Sequence, residues 1–137
     1  MERAFKRDIT SVESIFRLVS IFARRHGLKD SDVFGLNLAI EELFVNMVRY
    51  DPGNTEQISI GLKMDRGVVF ARLRGRTARP FDPAKVRRYD IKTPIEERAP
   101  GGLGIHLVRS VMDDLAYEYR NGESVITLTR RMGKAYV

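Results

Sequence analysis

The period of the hydrophobic pattern changes partway along the chain, and this restricts the fold more than any other feature. Val12, Ile15, Phe16, Val19, Phe22 and Ala23 recur at helical spacing. Thr10-Ser11-Val12-Glu13 ahead of them has the form of a capping box, and Gly27 behind them is a natural stop. A second helical stripe, Val33, Leu36, Ile40, Leu43, Phe44 and Met47, starts near Asp30-Ser31 and is broken by Asp51-Pro52-Gly53-Asn54. The period then drops to two. Ile58, Ile60 and Leu62 alternate, Asp65-Arg66-Gly67 turns, and Val69, Ala71 and Leu73 alternate again, so 57–74 reads as a hairpin. Residues 115–119 and 124–130 alternate on either side of Asn121-Gly122, a strong hairpin turn. Residues 4–9 are expected to form a first strand, and 103–113 a third helix with Leu103, Leu107, Val108 and Val111 as its stripe. These elements predict one α+β domain over 1–137, a two-layer sandwich with helices on one face of a mixed, mostly antiparallel sheet.

Between strand and third helix, residues 75–102 are irregular and rich in proline, glycine and charge. Loops of that length are usually functional, and about 84–102 is expected to act as a lid. The chain has no cysteine, which excludes disulfides and thiolate metal sites, and its two histidines, His26 and His106, lie far apart. His106 is expected at the edge of the core. No apolar run approaches the ~18 residues of a membrane span. The charged start MERAFKRDIT lacks the apolar segment of a signal peptide, so a cytoplasmic protein is expected. A net charge of +6 favours an acidic partner without choosing its class. The basic tail Arg130-Arg131-Met132-Gly133-Lys134 is expected to fray.

Two constellations carry chemistry. In Glu41-Glu42-Leu43-Phe44-Val45-Asn46, Glu42 and Asn46 are four apart and share a helix face. Measured from Ile40 in the apolar stripe, they point about 160° and about 120° away, outside the core. A carboxamide oxygen can ligate Mg²⁺ while a neighbouring carboxylate accepts a proton, although a solvated polar helix face would look the same. Ala99-Pro100-Gly101-Gly102-Leu103-Gly104-Ile105 runs glycines directly into a helix, where the backbone can approach a ligand and offer unpaired N–H groups to phosphate.

Glu-Glu-Leu-Phe-Val-Asn at 41–46, Pro-Phe-Asp-Pro at 80–83 and Ile-Glu-Glu-Arg through Gly-Gly-Leu-Gly-Ile-His-Leu-Val-Arg to Met-Asp at 95–113 keep one order. Together they resemble the anti-sigma-factor serine/threonine kinases of the histidine-kinase-like (Bergerat) ATPase superfamily. The resemblance implies ATP and Mg²⁺ as ligands. It implies Glu42 as general base toward a substrate hydroxyl and Asn46 as the Mg²⁺ ligand. Gly101, Gly102, Leu103 and Gly104 would form the phosphate-binding lid end, with Ser124 near the base and Arg49 and Tyr50 just beyond the site. Implied partners are a sigma factor and an anti-anti-sigma antagonist, which compete for the kinase and of which the second is phosphorylated. The resemblance suggests homodimers and gives no reason to expect direct contact with nucleic acid or a membrane.

One departure stands out. Relatives carry Asp-x-Gly ahead of Pro-Phe-Asp-Pro, where the acid receives the adenine amino group; counting back from Phe81 puts Arg76 and Ala78 there. Guanidinium has no acceptor. Losing a hydrogen bond to a charged acceptor costs ~1.5–3 kcal/mol, about one to two decades of affinity. Three readings follow: a kinase that tolerates the change, a family member with weakened or lost ATP use that acts by protein binding, or a site where Arg76 meets a guanine-type edge or another anion. Outside the family, Arg72, Arg74 and Arg76 with Phe70, Tyr89 and Arg87-Arg88 would make a nucleic-acid surface, although no nucleic-acid motif accompanies them. A stand-alone histidine kinase is disfavoured, since the chain lacks room for a phospho-acceptor helix pair.

Overall fold

The computed structural model describes residues 1–80 and 102–133; the expected lid up to residue 101, Gly101 included, lies outside the described residues. The order is β1 (Glu2–Phe5), a 3-10 turn (Ile9–Ser11), α1 (Val12–His26), α2 (Asp30–Tyr50), β2 (Ile58–Asp65), β3 (Val68–Arg76), α3 (Gly102–Val111), β4 (Asp114–Arg120) and β5 (Glu123–Arg131). The five strands form one sheet in the order β1-β2-β3-β5-β4, and each neighbouring pair is antiparallel. Both hairpins turn through two left-handed residues, Arg66-Gly67 and Asn121-Gly122. That is the pairing whose twist suits flanking strands.

Ile60, Leu62, Ala71, Leu73, Ile126 and Leu128 are buried on one sheet face beneath Ile15, Val19 and Phe22 of α1 and Leu36, Ile40, Leu43, Phe44 and Met47 of α2. Gly27 closes α1 in the left-handed conformation at φ 65°, as its position predicts. The entrance to α1 differs from the expected capping box. Asp8 caps the preceding 3-10 turn, accepting from Thr10 N at 2.9 Å and from Thr10 Oγ1 at 3.0 Å. The Thr10 amide thereby holds the Asp8 carboxyl below its ordinary value. Ser11 has helical dihedrals and makes no cap. Because the chain turns at Asp8, the first strand ends at Phe5 and does not run to residue 9.

Two further expectations are corrected. On α3, Ile105, Val108 and Val111 face the core, whereas Leu107 and His106 are exposed. Val108 and Val111 thus lie in the stripe as expected, while Ile105 takes the place expected of Leu107. The tail is not frayed at Arg130, which is fully buried and ion-paired with the equally buried Asp32 at 3.0 Å. Strand β5 carries it there opposite Val69, under the first turn of α2 and the end of α3.

Candidate functional site

Glu42 and Asn46 lie one turn apart on α2, both half-buried, outside the apolar stripe. Asn46 Nδ2 donates to Glu42 Oε1 at 3.2 Å, which orients the amide so that its Oδ1 faces away from the carboxylate. Among the described residues no hydrogen bond reaches that Oδ1, and no cluster of three or more acidic or histidine side chains exists. A magnesium ion would therefore draw one protein oxygen here and the rest from phosphate and water, a ligand set this hard cation favours.

α3 packs across the same face. A Cβ at Gly104 would stand 1.8 Å from Glu42 Oε1 and 1.9 Å from its Cδ. The carboxyl group fills the volume that a side chain at this position would take, so glycine lets Glu42 lie where it does. Glu42 thus sits against the first turn of α3, which starts at Gly102 and includes Leu103. The first-turn N–H groups of a helix have no intrahelical partner and carry the positive end of its dipole. The sequence-predicted Glu42, Asn46 and glycine helix start are brought together.

At the far end of α2, the sheet supplies a second wall. In register, Gly75, Ser124 and Tyr119 stand side by side on the helix-covered face. The next residue after β3, Thr77, turns inward and is buried; its Oγ1 lies 2.7 Å from Ser124 Oγ. Thr77 N donates to Gly122 O at 3.0 Å, and Tyr119 Oη donates to Thr77 O at 3.1 Å. Ala78 is exposed, and its N–H points to Asp51 Oδ2 at 3.4 Å. Tyr50 Oη reaches Pro80 O at 2.8 Å, with the Arg79 guanidinium 5.9 Å from the Tyr50 ring centre.

Arg76 is placed differently from the expectation. Strand alternation sends Arg72, Arg74 and Arg76 to the helix-free face, and Arg76 Nη1 ends 3.5 Å from Asn121 O. Its guanidinium does not enter the space between sheet and helices, so the guanine-edge reading loses the residue that carried it. Phe81, from which the position was counted, lies outside the described residues. Side-chain parity at the end of β3 makes Thr77 the inward residue. Sequence reading missed Thr77 for that reason, and missed Arg7, whose charged surroundings Lys6-Arg7-Asp8 gave no signal. Burial lowers the Arg7 pKa, partly opposed by Asp51 and Glu56.

Residues 5–130 match the family described as the histidine kinase-like ATPase domain. The serine-protein kinase RsbW of Bacillus cereus (strain B4264) is 32% identical over 112 residues, covering 76% of this chain and 68% of the relative. The serine/threonine-protein kinase BtrW of Bordetella bronchiseptica is 30% identical over 98 residues, covering 70% and 68%. Among solved structures, the RsbU and RsbW domains of a Mycobacterium tuberculosis protein superpose with a TM-score of 0.66 at 15% identity. That likeness covers 99% of this chain but 33% of the other, and it shows the fold. The chain belongs to the histidine kinase-like ATPase domain family, in its branch of anti-sigma-factor serine kinases.

Proposed function

We propose that the protein binds Mg-ATP between α2, the start of α3 and the β3–β5 end of the sheet, and phosphorylates a serine or threonine of an antagonist protein. Unphosphorylated antagonist and a sigma factor compete for it. The observation that carries this reading is the seating of the Glu42 carboxylate against Gly104, one helical turn from Asn46. Asn46 Oδ1 would hold Mg²⁺, whose charge would neutralise phosphate oxygens. Gly101, Gly102, Leu103 and Gly104 would meet the phosphates through backbone N–H groups. Glu42 would take the proton of the attacking hydroxyl as the bond to the γ-phosphorus forms and the bond to the leaving β-phosphate oxygen breaks, releasing ADP.

The base end supports a weakened site. Thr77 and Ser124 hydroxyls can accept as well as donate, unlike guanidinium. Exchanging a charged acceptor for a neutral one lowers the hydrogen bond from ~1.5–3 to ~0.5–1.5 kcal/mol, about a tenfold loss. The same neutral pair favours a second reading, a regulator that binds its protein partners with little use of ATP. Isothermal titration with Mg-ATP separates them. Micromolar affinity is expected for the kinase, whereas no heat up to millimolar nucleotide would leave only the binding role. Transfer of labelled γ-phosphate to an antagonist protein, lost in Glu42→Gln, tests the chemistry.

A further inference from the structure

Arg7 lies outside every motif, yet its guanidinium joins three separate segments. Its Nε donates to Glu56 O at 2.9 Å, Nη1 to Met47 O at 3.1 Å and Nη2 to Arg76 O at 3.0 Å. Met47 lies in the last turn of α2, one residue past Asn46. A cation at a helix C-terminus also complements the dipole. Glu56 belongs to the connection from α2 to β2, and Arg76 ends β3 directly before Thr77. The Arg76 carbonyl is pinned a second time by Asn54 Nδ2 at 2.7 Å. Room for this fork comes from Gly75, where a Cβ would stand 2.9 Å from Arg7 Nη2, 3.2 Å from Met47 Cε and 3.3 Å from Ile58 Cγ1.

We propose that Arg7 is a positioning residue that sets the distance between the Asn46 turn of α2 and Thr77 at the end of β3, so that one nucleotide reaches both. The role at the nucleotide rests on the proposed function; the mechanical tie between the two walls does not. Three acceptors in three directions require the planar fork. A lysine ammonium keeps the charge but cannot span them. The N-terminal segment thus acts as a strap across the site, acting through α2 and β3 and touching no substrate.

Hydrogen exchange on the full chain tests the tie in the wild type, Arg7→Met, Arg7→Lys and Gly75→Ala. Amides in 44–56 and 74–80 are expected to exchange about tenfold or more faster in all three variants, while those in 12–26 and 123–131 keep wild-type rates. The same variants are expected to bind Mg-ATP about tenfold or more weakly, as displaced site groups do. A wild-type pattern in Arg7→Lys, a uniform rise across the chain or no rise at all would overturn the proposal. So would selective exchange with an unchanged ATP affinity. A wild type that binds no nucleotide would instead refute the proposed function, and with it the positioning role, leaving exchange to decide the tie alone.

Discussion

At the scale of single residues, the contact between Glu42 and Gly104 makes the sharpest claim, because one methyl group is enough to break it. Gly104→Ala would drive its Cβ to 1.8 Å from Glu42 Oε1, 1.9 Å from Cδ and 2.5 Å from Cγ. The carboxyl must swing aside, and as the free end of a half-buried side chain it can do so near the low end of the about 1–3 kcal/mol that overpacking costs. Glu42→Ala removes all three of those atoms. The pair Glu42→Ala with Gly104→Ala is therefore expected to regain most of the stability lost by Gly104→Ala, as read by urea denaturation. Additive losses would show that the two do not share the volume. Arg76 supplies the opposite expectation. Pointing to the helix-free face, Arg76→Asp with Ala78→Gly should change ATP affinity by no more than about threefold, the range of surface substitutions. A large gain would return Arg76 to the site. Glu42 and Asn46 were legible because helical spacing alone fixes their shared face. Thr77 was not, since a residue just past a strand faces inward or outward according to where the strand ends and how the chain turns. Here the Thr77 amide bonds to Gly122 O, in the neighbouring hairpin.

At the scale of elements, the buried pair of Asp32 and Arg130 shows what local pattern reading cannot reach. In sequence Arg130 opens a basic tail, with Arg131 and Lys134 after it, and its partner is 98 positions away. It donates to Asp32 Oδ1 through Nε and to Val111 O through Nη1, while Gly133 N donates to the Asp32 carboxylate at 3.2 Å. One guanidinium thus ties the start of α2, the end of α3 and the end of β5. Arg130→Met would leave a carboxylate with 0% exposure facing an apolar group. Breaking one side of such a pair costs about 3–5 kcal/mol. The melting temperature is then expected to fall by roughly 10–20 °C. Replacing both partners, as in Asp32→Leu with Arg130→Met, should cost less than the single change because no buried charge is stranded. A loss in Arg130→Met below about 1 kcal/mol by chemical denaturation would contradict this account. The hairpins, by contrast, were fully readable. Their turns need residues that adopt positive φ, and Arg66-Gly67 and Asn121-Gly122 mark them at φ 50° and 78° and at 53° and 79°. On α3 the stripe held at Val108 and Val111, but Ile105 and Leu107 are both apolar, and only packing in the folded chain chose Ile105.

At the scale of the whole molecule, charge and site are on different faces. Arg72, Arg74, Arg76 and Arg120 line the helix-free face of the sheet, where Arg74 pairs with Glu2 at 2.5 Å and Arg120 with Glu118. A net charge of +6 therefore said little about the proposed site, which would lie between α2, α3 and the opposite sheet face. Among the described residues no helix is long and apolar enough to cross a membrane. The proposed site draws on segments that share no covalent neighbourhood: the middle of α2, the start of α3, the end of β3 and β5. Such a site exists only in the folded chain, so a ligand that binds there must stabilise the whole fold by mass action. At a hundred times its dissociation constant, Mg-ATP should add about 2.7 kcal/mol. For a chain of this size that corresponds to a rise in melting temperature of about 10 °C. The rise should shrink when EDTA removes magnesium, and Asn46→Ala should abolish the difference between magnesium and EDTA while leaving the ligand-free melt within a few degrees. If Asn46→Ala keeps the full magnesium response, the ion is held elsewhere, and the assignment of α2 as the metal-bearing wall fails.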